Sequence, residues 1–106
     1  MVKIEDFKKL EIIAAQIKEV KDHPNADRLY VLKVDTGKEE KQLVAGIRPS
    51  YSKDQLAGRQ IIMINNLEPA TIRGEKSEGM LLAASDEKGL SLLTLDRTMV
   101  LGSGVS

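Results

Sequence analysis

The chain has no cysteine and no tryptophan, and its only aromatic residues are Phe7, Tyr30 and Tyr51. Without cysteine, neither a disulfide nor a thiolate metal site holds the fold, and a reducing cytosol is the expected setting. At 106 residues one apolar core forms without such staples, so a single domain over residues 1–106 is expected. The scarcity of aromatic rings excludes a groove that stacks successive bases of a single strand. No apolar run approaches the roughly 18 residues that cross a bilayer. Met1–Phe7 carries Glu5 and Asp6 where a signal peptide would place its apolar region. The expectation is a soluble, cytoplasmic protein with no membrane partner. An excess of charge of one sign is also lacking, since 16 basic residues face 16 acidic ones. That balance excludes a general polyanion binder and leaves room for a local basic patch whose binding weakens with salt.

The patterning is that of short strands. Residues 4–9 read as a short helix. Glu11 to Lys21 reads as a long strand with Ile13, Ala15 and Ile17 on one face by period two. Val20 falls out of that alternation, which predicts a bulge or strong coiling. His23-Pro24-Asn25-Ala26-Asp27 is a turn by composition, and Leu29 to Asp35 is the next strand. Thr36 to Lys41 is the connection, and Gln42 to Ala45 pairs back. Ser52-Lys53-Asp54-Gln55 matches a capping box, so a short helix should start there and stop at Gly58. Arg59 to Asn65, Met80 to Ser85 and Leu90 to Leu95 complete the strands. Short strands with one helix after the third predict an all-β, five-stranded Greek-key barrel, the OB-fold, ahead of an SH3-like barrel. Several strands are apolar on both faces, which points to a dimer interface.

Chemistry concentrates in Arg73-Gly74-Glu75-Lys76-Ser77-Glu78-Gly79-Met80, just before the apolar run Leu81-Leu82-Ala83-Ala84. Two cations, two glycines and a hydroxyl at a strand mouth suit a phosphodiester chain, although a polar turn has the same composition. The cations expected nearest a nucleic acid are Arg48, Lys53, Arg59, Arg73 and Lys76. His23, with Asp22 and Asp27 nearby, makes a weak metal set and is expected to be a solvated loop residue. No nucleophile, phosphate loop or dinucleotide fingerprint is present, so no catalysis and no cofactor are expected.

His23-Pro24-Asn25-Ala26-Asp27-Arg28-Leu29-Tyr30, Val44-Ala45-Gly46-Ile47, Asn66-Leu67-Glu68-Pro69 and Arg73-Gly74-x-x-Ser77-x-Gly79-Met80 occur in one order. This order resembles the tRNA-binding domain family, and the resemblance runs from about residue 5 to the end. The family includes the C-terminal extension of methionyl-tRNA synthetases, a free-standing bacterial tRNA-binding protein and the endothelial monocyte-activating polypeptide. The resemblance implies an OB barrel and structure-specific, sequence-independent tRNA binding by a homodimer. It also implies a non-catalytic role that supports aminoacylation, either free-standing or with the catalytic chain of a methionyl-tRNA synthetase. The family's Ser-x-x-Met signature falls on Ser77 and Met80, flanked by Arg73 and Lys76, with Asn25 in the other shared loop. Met80 is equally suited to core packing, with the signature a constraint on barrel closure.

The chain departs from the family pattern at three places. Ile13-Ala14-Ala15 stands where the family usually has Arg-Val-Gly. Glu68-Pro69-Ala70-Thr71 replaces a usually basic segment, and Arg48-Pro49-Ser50-Tyr51 a loop often rich in Lys and Tyr. Each change removes basic or aromatic surface. A chaperone-like or protein-docking module on the same fold is the alternative reading.

Overall fold

Strand β1, Ile12–Asp22, serves two sheet neighbours in succession. In the computed structural model, which describes residues 1–106, its first half pairs antiparallel with β4 (Gln60–Ile64) and its second half with β2 (Tyr30–Asp35). The register with β2 slips between Ile17 and Glu19, the irregularity expected from the broken alternation. The slip has a packing reason. Ile13, Ala15 and Ile17 point into the core, and Val20 packs against the same core beyond the slip. One strand thereby keeps its apolar side inward while the sheet coils.

Strand β3 (Glu40–Ala45) pairs with β2, and β7 (Met80–Leu81) pairs with β4. The sheet order is β3-β2-β1-β4-β7. A hairpin of β5 (Ala70–Ile72) and β6 (Glu75–Ser77) closes the circuit against β3. This closure is made through two side-chain acceptors and one backbone bond. Val44 N–H donates to Ser77 Oγ at 3.0 Å, Gln42 N–H to Glu78 Oε1 at 3.0 Å, and Glu78 N–H to the Gln42 carbonyl at 2.8 Å. The result is an all-β, nearly closed, five-stranded antiparallel barrel of OB type with two short helices. Its interior is filled by Ile17, Leu32, Val34, Leu43, Ile47, Leu56, Ile61 and Met63, all fully buried.

Helix α1 is Ile4–Lys8, and α2, Lys53–Leu56, follows the third strand as expected. The capping box at α2 is present. Gln55 N–H donates to Ser52 Oγ, Ser52 N–H donates to Gln55 Oε1, and Leu56 is buried beneath. Gly58, at φ 83°, turns the chain out of the helix. Ser52→Ala is expected to cost about 1 kcal/mol, the usual value of a hydroxyl N-cap. Urea unfolding checks it, and a loss under about 0.3 kcal/mol would show the box to be dispensable.

Two expectations need correction. Met80 to Ser85 is not one strand: it divides at Leu82 into β7 and β8 (Ala83–Asp86), and β8 pairs with β9 (Gly89–Leu92) in a separate hairpin. Leu82 passes the chain from one pairing to the other, donating its N–H to Ile62 and accepting from Leu93. The β5–β6 hairpin is the second correction, since the segment before Ser77 was expected as a polar rim without strands. Residues 102–105 add a feature the composition does not announce. They bond along the first half of β1 on the edge opposite β4, through Ala14 N–H to Ser103, Gly102 N–H to Ala14 and Val105 N–H to Ile12.

The second apolar face of the β1–β4 pair holds Ile12, Ile62 and Ile64, and Leu82 and Leu95 pack over it. Part of the two-sided hydrophobicity is therefore satisfied within the chain. No residue of α1 is buried, and Ile4, Phe7, Met80, Leu93 and Val100 remain exposed. No helix is long and apolar enough to cross a membrane.

Candidate nucleic-acid interface

The β1–β2 loop follows Asp22, the last residue of β1, and begins with His23, on which its position depends. His23 is 3 % exposed, not solvated as its polar neighbours suggest. Asn25 N–H donates to Nδ1 at 2.9 Å, so that nitrogen carries no proton and the other one does. Nε2 then donates to the carbonyl of Ile72 at 2.9 Å. One imidazole fixes its own loop and ties it to the β5–β6 hairpin, 49 residues along the chain.

The hairpin turn presents Arg73 toward that loop. Arg73 and Gly74 have φ of 53° and 94°, the paired positive values of the tight primed turns that suit right-twisted strands. An arginine in the left-handed region is uncommon and costs about 1 kcal/mol. Its placement brings two long reciprocal contacts, Asn25 Nδ2 to the Arg73 carbonyl at 3.4 Å and Arg73 Nη2 to the Asn25 carbonyl at 3.5 Å.

On the other side of the loop, Arg48 Nη2 and Lys53 Nζ lie 3.5 and 3.2 Å from Asp22 Oδ2. Arg48 also sits over the Tyr30 ring, 6.0 Å from its centre. Tyr30 is held in turn, its hydroxyl donating to the Tyr51 carbonyl at 2.7 Å. Arg59 stands 5.4 Å over Tyr51, whose hydroxyl accepts from Leu92 N–H. Thus Arg48 and Lys53, through Asp22, and Arg73, through Asn25 of the loop itself, border one short loop, and Arg59 is reached through the tyrosines.

The remaining candidates are placed differently. Lys76 is exposed on β6, and its carbonyl accepts from Gln42 Nε2 at 2.8 Å. Ser77 is 5 % exposed, and its hydroxyl is occupied by Val44 N–H and the Gly79 carbonyl. In this arrangement its visible work is barrel closure. Met80 lies on β7 beside Ile64, 48 % exposed, among the apolar surface residues. Sequence reasoning missed Asp22 as a partner of the cations. It also missed Lys21 and Lys33, which with Glu19 and Gln42 line a hollow of about 60 Å³ on β1–β3, Glu19 lying opposite Lys33. The signal available for Lys33 was its polar position within an otherwise apolar strand. No group of three or more His, Cys, Asp or Glu residues is arranged to hold a metal ion.

This scaffold has known counterparts. A family profile described as "Putative tRNA binding domain" matches residues 12–104. The methionine–tRNA ligase of Thermococcus onnurineus is 52 % identical over 104 residues, and that of Pyrococcus horikoshii 50 % identical over 104. Each match covers 98 % of this chain but 14 % of the ligase, so the chain corresponds to a small part of those enzymes. Among solved structures, a MetRS-related protein from Pyrococcus horikoshii superposes with a TM-score of 0.93 at 28 % identity, covering 100 % of this chain and 98 % of that one. The CsaA chaperone protein from Picrophilus torridus superposes with a TM-score of 0.93 at 34 % identity, covering 100 % of both. With nearly the whole barrel matched, this chain belongs to the tRNA-binding domain family.

Proposed function

We propose that residues 1–106 form one non-catalytic module that binds tRNA by its folded shape, without reading base sequence, in support of aminoacylation. The observation that carries this reading is the convergence of Arg48, Lys53 and Arg73 on the loop held by His23. Cations on a fixed rim suit a phosphate backbone of defined curvature, and the lack of stacking rings argues against a single strand. Lys76 adds an exposed cation on β6, while Ser77 and Asn25 hold the seam and the loop in place. The module works either free-standing or attached to a methionyl-tRNA synthetase catalytic chain. As a homodimer it would double the rim, and the exposed Phe7, Leu93 and Val100 offer apolar surface for pairing.

Arg73→Gly tests the rim without straining the turn, because glycine suits the positive φ while the whole side chain, guanidinium included, is removed. Affinity for tRNA is expected to fall by about 1–2 kcal/mol, with stability changed by less than about 1 kcal/mol. Fluorescence anisotropy at low and physiological salt, with unstructured RNA as competitor, reads the effect. Unchanged affinity in the folded variant would remove Arg73 from the interface.

A second reading, a chaperone-like or docking module, is favoured by the likeness to CsaA and by the same exposed apolar residues. It requires peptide binding that varies little with salt, and no preference for tRNA.

A further inference from the structure

The proposed rim has a carboxylate at its centre. One oxygen, Asp22 Oδ2, receives both Arg48 at 3.5 Å and Lys53 at 3.2 Å. The two cations come from separate segments, Arg48 after β3 and Lys53 at the start of α2. A single anionic oxygen between a guanidinium and an ammonium is the arrangement a phosphodiester oxygen would take there. Exposed pairs of this kind add little to stability, so the needs of the fold do not account for it. All three side chains are open to solvent, at 30 %, 46 % and 49 % exposure for Arg48, Asp22 and Lys53. Arg48 also has a second contact, over the Tyr30 ring, that does not involve the carboxylate.

We infer that Asp22 is a resident phosphate mimic, which keeps Arg48 and Lys53 converged and competes with incoming nucleic-acid phosphate. The inference rests on the tRNA-binding reading. The carboxylate holds the cations in register between binding events, and its displacement sets a ceiling on affinity. Such a device suits a module that must release tRNA as readily as it collects it.

The test compares Asp22→Asn with Glu87→Gln, which makes the same change in net charge on the β8–β9 turn, at a residue paired with neither Arg48 nor Lys53. With folded tRNA, D22N is expected to bind about tenfold more tightly at low salt, with a salt dependence steeper by about one to two phosphate contacts. Glu87→Gln should match the parent chain. Adding Arg48→Ala to Asp22→Asn should abolish the gain. Equal affinity of D22N and the parent, weaker binding by D22N, or an equal gain in E87Q would each overturn the mimic. If the parent chain binds no tRNA at all, the functional reading fails separately. Inorganic pyrophosphate, followed by NMR at the Arg48 and Lys53 side chains, then decides the inference alone. Stronger shifts in D22N support it, and identical shifts overturn it.

Discussion

Replacing His23 with alanine is expected to lower the unfolding free energy by about 3 kcal/mol. Three losses combine. A ring that is 3 % exposed leaves a void, Asn25 N–H loses its acceptor, and the Ile72 carbonyl loses its donor. For a domain of this size the melting temperature should fall by roughly 15 °C. The rim should suffer beyond the loss of stability, because Asn25 and Arg73 face each other only while the loop and hairpin are tied. His23→Gln keeps an acceptor and a donor on one amide and should recover part of both stability and tRNA affinity. Thermal and urea unfolding measure the first, anisotropy the second. A loss under about 1 kcal/mol in His23→Ala, the size of a single ordinary hydrogen bond, would show that the imidazole does not hold the two segments together.

Gly79→Ala is expected to cost a similar amount, about 3 kcal/mol, through overpacking. A methyl group at Gly79 would lie 2.8 Å from Met63 Cε, 2.9 Å from the Ile64 carbonyl oxygen and 3.3 Å from Leu43 Cδ2. The methionine tip can move aside, but the strand carbonyl cannot without disturbing the β4–β7 pairing. The same displacement would pull the Gly79 carbonyl away from the Ser77 hydroxyl and loosen the seam at Val44. Met63→Leu in the same chain should therefore rescue little. Urea unfolding again provides the measurement, and a change within about 1 kcal/mol, the lower end for overpacking, would mean that the close approach is readily relieved.

The parts legible in the sequence were those governed by local chemistry. The broken alternation at Val20 foretold the slip in β1, and Ser52 with Gln55 foretold the cap of α2. The parts that escaped depend on contacts distant in the chain. Ala70-Thr71-Ile72 and Glu75-Lys76-Ser77 show no alternation, and their turn opens with arginine where asparagine would be the readable signal. Leu82 sits within an unbroken apolar run, yet it leaves β4 for a different hairpin, and periodicity carries no trace of that change. His23 looked solvated because its sequence neighbours are polar, whereas its true neighbour is Ile72, 49 positions away. For the site, the cations were readable one at a time. Their sharing of Asp22 was not, since Asp22, Arg48 and Lys53 belong to three separate segments.

Strand β3 lies at one end of the five-stranded sheet. A terminal strand with free N–H groups is a template on which a neighbouring molecule can add its own strand, the first step toward ordered aggregates. Here the outward N–H groups of Gln42 and Val44 are already taken by Glu78 Oε1 and Ser77 Oγ. These acceptors are a carboxylate and a hydroxyl, not another backbone, so they end the ladder where a further strand would prolong it. The segment that shuts the barrel thus also guards the protein against self-association by strand addition.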